Sequence, residues 1–281
     1  MLPFWVSIGS LSLCQGVVVA LPRAWSPGRL ARLRGPLWAL IPAISVIGFV
    51  AVGRIDEEGS AQALTYIALV AVPLLAALAL GWLVWPSERG KPAWALLAAP
   101  MFALAWVDRS GLVGEGAAVA LSALSCAALG ALIAGVTPAR WLALGIVAMA
   151  LADAALVISD LLQQPNDALN AAHPAAGLPR LQAEMFGAAA MGYGDLFIAG
   201  LFGGLLATTG GRARQLAGAA LVAVFAGAFD LLFFAVDELP ATVPVACALV
   251  VLLSASRRHG LSWTRARPAE RTPLARAPTP R

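Results

Sequence analysis

The sequence predicts an all-α, polytopic membrane protein with nine transmembrane helices. Hydrophobic residues make up 60% of the 281, charged residues only 12%, and mean hydropathy is +0.82. A soluble domain of this size cannot bury that much apolar surface. The apolar residues also cluster into runs of about 17–24 residues, long enough to cross a hydrocarbon core. Finally, the basic residues between those runs lie almost all on one side.

The nine runs are 3–21, 36–53, 62–85, 92–107, 116–136, 141–162, 186–208, 216–236 and 239–255. The fourth is short, and the ninth opens at Pro240. No period of repeating units stands out. The first run, MLPFWVSIGSLSLCQGVVVALP, has no basic residue before it and an Arg cluster after it. That pattern predicts a retained span with its N-terminus outside rather than a cleaved signal. The cytoplasmic segments are then 22–35, 86–91, 137–140, 209–215 and the tail, and they hold sixteen of the nineteen Lys and Arg residues. The outer side holds only Arg54, Arg109 and Arg180, together with Asp56, Glu57, Glu58, Asp108, Glu115, Asp167, Glu184, Asp237 and Glu238. A missed or surplus span would scramble this asymmetry, so the count of nine places the C-terminus inside.

The remaining features are bland. The net charge of +4 belongs to short topology-setting loops and points to no nucleic-acid partner. Cys14, Cys126 and Cys247 all lie in apolar runs without metal-type spacing, and read as small packed hydrophobes. His173 sits in the breaker-rich outer loop 163–185 and reads as a solvated residue. The Arg- and Pro-rich tail 256–281 reads as a disordered, cytoplasmic topology anchor that also suits anionic lipid. Rich Ala, Gly, Leu and Arg content and compact loops point to a bacterial inner membrane.

Four carboxyls fall inside the runs: Asp153, Asp160, Asp195 and Asp230. An acid at that depth is costly and marks a functional site by default. Counting helical rise from the run ends puts Asp153 roughly 12 Å and Asp195 roughly 14 Å from the same outer edge of the core. These two are therefore level, on neighbouring spans. Asp160 follows Asp153 by seven residues, on the same helical face but near the boundary, and reads as an interfacial acid. Asp230 computes to roughly 9 Å from the outer edge and reads as an acid bonded to a neighbouring helix. Asp195 lies in Met191-Gly192-Tyr193-Gly194-Asp195-Leu196-Phe197-Ile198-Ala199-Gly200, where two glycines let the backbone deform or another chain approach.

Gly192-Tyr193-Gly194-Asp195 and the apolar run after it resemble the Gly-x-Gly-Asp motif of the presenilin and signal-peptide-peptidase class of intramembrane aspartyl proteases. Pro240-Ala241-Thr242, opening the ninth run, is similar to that family's Pro-Ala-Leu motif. Asp153 on the sixth run stands where the family has its first catalytic aspartate. The resemblance covers the C-terminal half, while the first five runs match only in number and hydrophobicity. Two residues depart from it: Ala152 replaces a usual Tyr, which leaves Asp160 a rival first acid, and Thr242 replaces a Leu.

The resemblance implies a presenilin-like fold and an endopeptidase with Asp153 and Asp195 as catalytic acids, supported by Gly192, Tyr193, Gly194, Pro240, Ala241 and Thr242. Residues 1–136 would be a five-helix scaffold, 137–255 the catalytic helices and 256–281 the tail. No metal or organic cofactor is implied. Two neighbouring carboxyls share one proton: the charged one activates water, and the protonated one holds the scissile carbonyl. The N-out, C-in topology resembles signal peptide peptidases, so the substrates would be helices of type II orientation or signal-peptide remnants. Prepilin peptidases share the Gly-x-Gly-Asp motif, but a Lys normally follows two residues after their Asp, where this chain has Phe197. A transporter using Asp153, Asp195 and Asp230 as proton or cation sites is a non-enzymatic alternative. A pseudoprotease is another.

Overall fold

A computed structural model describes residues 2–84, 91–236 and 239–258. These residues form ten α-helices and one hairpin. The helices before the hairpin are α1 (Phe4–Ala20), α2 (Ile41–Ile55), α3 (Glu57–Leu78), α4 (Ala98–Val107), α5 (Leu112–Val136), α6 (Ala139–Ile158) and α7 (Gln163–Ala171). The hairpin is β1 (Ala183–Phe186) with β2 (Ala189–Gly192), and α8 (Tyr193–Thr209), α9 (Gly211–Asp230) and α10 (Val243–Arg258) follow. The all-α expectation holds outside that hairpin. Five helical runs are long and apolar enough to cross a membrane: Pro36–Ile55, Glu57–Leu83, Leu112–Val136, Ala139–Ile158 and Gly211–Phe234. The shorter apolar helices Phe4–Ala20, Pro92–Val107, Tyr193–Thr209 and Val243–Ala255 occupy the other four expected runs.

Local chemistry sets the helix ends. Asp56 caps α3 by accepting the Gly59 N–H at 3.0 Å, and Glu57 and Glu58 place negative charge at its positive end. Between α5 and α6, Pro138 holds Thr137 extended, which ends one helix and starts the next. Pro73 interrupts the bonding of α3, whose last turn widens into a π-turn at Ala79–Leu83.

The bundle is built around α5 and α8. Every residue of α8 from Leu196 to Leu206 is buried. In α5, 78% of the most apolar window is buried, against 22% for the α2 and α3 runs and 17% for α9. The peripheral helices turn apolar side chains outward, among them Ile44 and Ile47 on α2 and Val70 and Leu74 on α3. Such a face suits lipid. Leu11 of α1, Leu142 and Ile146 of α6, Phe202 and Leu205 of α8 and Leu249 of α10 share one core. Contacts of α1 and α5 with α8 therefore cross the expected boundary at residue 136.

Backbones in the centre nearly touch. A Cβ on Gly200 would strike the Cys126 carbonyl, and one on Gly204 would strike the Gly130 carbonyl. Small residues at this spacing are how helices pack where no hydrophobic force separates lipid from protein.

The seventh run departs from expectation. It was expected to be helical over 186–208, but the helix starts only at Tyr193 and the residues before it are strand. Gly187, at φ +60°, makes the two-residue turn, and Phe186 pairs with Ala189 and Ala183 with Gly192. The turn is held by two helices: the Gly187 N–H donates to Glu115 Oε2 at 2.7 Å, and the Ala188 N–H to Ser7 Oγ at 3.1 Å. The outer loop 163–185 is also more ordered than its composition predicts, because it contains α7 and β1. The sixth helix stops at Ile158 rather than 162. Of the basic tail, 256–258 complete α10, and 259–281 lie outside the described residues.

Replacing Gly200 with Leu should force α5 and α8 apart at a cost of about 1–3 kcal/mol. Unfolding in graded SDS should show a lower midpoint. An unchanged midpoint would mean that the close approach is not limiting.

Candidate functional site

The site starts where the hairpin meets α8. Gly192 ends β2 in an extended conformation (φ −73°, ψ 144°) and serves as the N-cap of α8. Asp195 is then the third helical residue, and its Oδ2 reaches back to accept the Gly192 N–H at 3.1 Å. This is the carboxylate half of a capping box, placed where the helix dipole favours negative charge. A helical count from residue 186 therefore misplaces Asp195, because paired strand rather than helix leads to it.

The first turn of α8 packs on α6. A Cβ on Gly194 would sit 3.5 Å from Met149 Cε. Met149 lies one turn before Asp153, on the same face. Asp153 is buried, with 9% exposure, and its Oδ2 accepts the Thr242 Oγ1–H at 2.6 Å. Asp195 is half-buried.

The segment before α10 supplies the third side. The Pro240 carbonyl accepts the Val243 N–H at 3.1 Å, making a turn, and the Thr242 carbonyl accepts the Ala246 N–H at 3.2 Å as the helix begins. A threonine at such a helix start commonly caps its own helix. Here its hydroxyl turns to Asp153 instead. Threonine at this position therefore supplies a hydrogen bond to Asp153. Tyr193 anchors the remaining side, with its hydroxyl 2.8 Å from Ser125 Oγ on α5.

The other two acids lie apart. Asp160, beyond the end of α6, is exposed and has φ 56°. Asp230, at the end of α9, accepts the Ser12 Oγ–H of α1 at 2.7 Å, which is the helix-to-helix role expected of it. Among the described residues no group of three or more His, Cys, Asp or Glu is arranged to hold a metal ion.

Two of the buried polar residues near the site, Gln15 and Glu184, carry no strong local sequence signal. Gln15 of α1 is fully buried, and its Nε2 donates to the carbonyls of Asp195 and Ala241. Its one signal is that an amide in an apolar run has to find partners. Glu184 was assigned to the outer loop, yet on β1 it is 2% exposed and neither carboxyl oxygen has a hydrogen-bond partner. The alternation of the hairpin turns it inward, a signal too short to separate from a loop.

No family model, curated protein or solved structure matches the chain.

Burial pushes the Glu184 carboxyl up from the ordinary 4.5 to about 8. Cys14, Cys126, Tyr193 and Asp195 face it electrostatically. Because the folded pKa is raised, folding is undisturbed by this group below the ordinary Glu range. Stability is lost as pH rises from there through about 8. Glu184→Gln removes the titration, so the variant should gain stability relative to wild type between about pH 5 and pH 8. Thermal unfolding in detergent across that range checks this, and parallel curves for the two proteins would refute it.

Proposed function

We propose that this chain is an intramembrane aspartyl endopeptidase that hydrolyses peptide bonds within transmembrane helices. The observation that carries the reading is the packing together of the segments that carry Asp153, Asp195 and Thr242. The Thr242 hydroxyl bonds to the buried Asp153 carboxyl, the first turn of α8 that carries Asp195 packs on Met149 one turn before Asp153, and Gln15 joins the Asp195 and Ala241 backbones. The resemblance at Gly192–Asp195 and Pro240–Thr242 supports the same activity.

The chemistry follows from the pair. Two neighbouring carboxyls hold one proton between them, and the titration belongs to both. The ionised member takes a proton from water, whose oxygen attacks the scissile carbonyl carbon. The protonated member hydrogen-bonds the carbonyl oxygen and stabilises the tetrahedral intermediate. Its collapse breaks the C–N bond, and the leaving nitrogen takes the proton that the first carboxyl removed from water.

A helical substrate must first unwind, because its peptide groups are bonded to one another and shielded by lipid. Gly192 is exposed and Asp195 only half-buried, so this end of α8 is the accessible side of the pair. The charge asymmetry of the loops supports nine spans with the N-terminus outside and the C-terminus in the cytoplasm of a bacterial inner membrane. Type II helices or signal-peptide remnants suit that orientation.

The experiment is cleavage of a fluorogenic type II helix by the purified protein. Asp153→Asn and Asp195→Asn should each lower the rate by about 10²–10⁴-fold or more. Asp160→Asn and Asp230→Asn should keep the wild-type rate. Leu-Leu in place of Pro240-Ala241 should abolish cleavage without lowering expression. Absence of cleavage by wild type across several substrates would return the weight to a pseudoprotease. Ion or proton flux that depends on Asp230 as well would favour a transporter.

A further inference from the structure

We infer that Gln15, on α1, is a positioning residue that sets the relation of Asp153 to Asp195. The inference rests on the two-aspartate reading above.

Gln15 has no solvent exposure. Its Nε2 donates to the Asp195 carbonyl at 3.2 Å and to the Ala241 carbonyl at 2.8 Å. These acceptors belong to the two segments that control the acids. Asp195 carries one carboxyl itself. Ala241 is bonded to Thr242, whose hydroxyl holds Asp153 at 2.6 Å. A continuous path therefore runs from Asp195 through Gln15 and the Ala241–Thr242 backbone to Asp153. Its links are three hydrogen bonds and one peptide unit, with no long flexible side chain left free among them.

The arm that carries Gln15 is itself fixed. One turn earlier on α1, Ser12 donates to Asp230 of α9 at 2.7 Å. At the other end of the helix, Gln215 of α9 donates to the carbonyls of Val19 and Pro22 at 3.0 and 2.7 Å. A shift of α1 is thus resisted by α9 and transmitted to the acids through Gln15.

Packing alone does not account for this residue. Its Oε1 is buried without a partner, which costs free energy. Methionine has similar length and would remove that cost, while taking the donor away from the Asp195 and Ala241 carbonyls. A purely structural Gln15 therefore predicts that Gln15→Met is harmless, or that stability and activity fall together. A positioning role predicts that they separate.

The test uses the full-length protein in detergent with the fluorogenic helix substrate. Gln15→Met should lower kcat by about 10–100-fold, the scale of a misplaced reacting group, with KM unchanged and an unfolding midpoint close to that of wild type. Thr242→Val, which breaks the same path elsewhere, should show the same loss of kcat. Independently of cleavage, an Asp153→Cys/Asp195→Cys pair should form its disulfide more slowly when Gln15→Met is added. Retained kcat in Gln15→Met overturns the inference. So does a loss of kcat matched by a lower midpoint with an unchanged cross-linking rate. If wild type cleaves nothing, the protease reading fails, and the cross-linking rate alone decides whether Gln15 sets the pair. An equal rate with and without Gln15→Met overturns it.

Discussion

The rest of the structure depends on satisfying polar groups inside an apolar bundle that offers them little water. Asp195 bonds to the Gly192 amide, Asp153 to the Thr242 hydroxyl and Asp230 to the Ser12 hydroxyl. Each bond joins an acid to a particular backbone turn or neighbouring helix. The acids therefore act as tie points as well as chemical groups, since an unpaired polar group in such surroundings is costly. The helices these bonds involve, α1, α6, α8, α9 and α10, also share the main apolar core.

Close packing and chemistry meet in α8. Gly200 and Gly204 let its backbone lie against α5, which fixes the helix in the centre. A helix held that way along its length presents its first turn at a fixed place. The hairpin then delivers the chain to that turn without requiring another helical span. Strand is tolerable there because β1 and β2 pair with each other and the turn amides bond to Glu115 and Ser7. Non-helical backbone against an apolar bundle survives only when its groups are satisfied within the protein.

The candidate site was legible in part. Asp153 and Asp195 stand out because aspartate is rare in apolar runs. Strand and not helix precedes Tyr193, so helical rise from residue 186 does not set the depth of Asp195. Asp160 resembled Asp153 by helical spacing, but α6 ends before it and leaves it exposed. The Thr242 hydroxyl reaches Asp153, 89 residues away in the chain, a pairing that no local pattern carries. Gln15 lies 180 residues from Asp195 and 226 from Ala241. No local pattern encodes a partner at that distance.

By itself the sequence determined the helical, apolar class of the protein, the approximate position of most of its long helices and the small set of acids worth attention. Those properties follow from run length, composition and the cost of charge in an apolar medium, all of which are local. Only the tertiary structure decided that Asp153 bonds to Thr242, that a hairpin leads into α8, that Glu184 is buried and that α1 reaches the Asp195 and Ala241 backbones. Those outcomes depend on which helix faces pack together. That choice is made by glycine contacts and paired polar groups between segments far apart in the chain, and local periodicity carries no record of it.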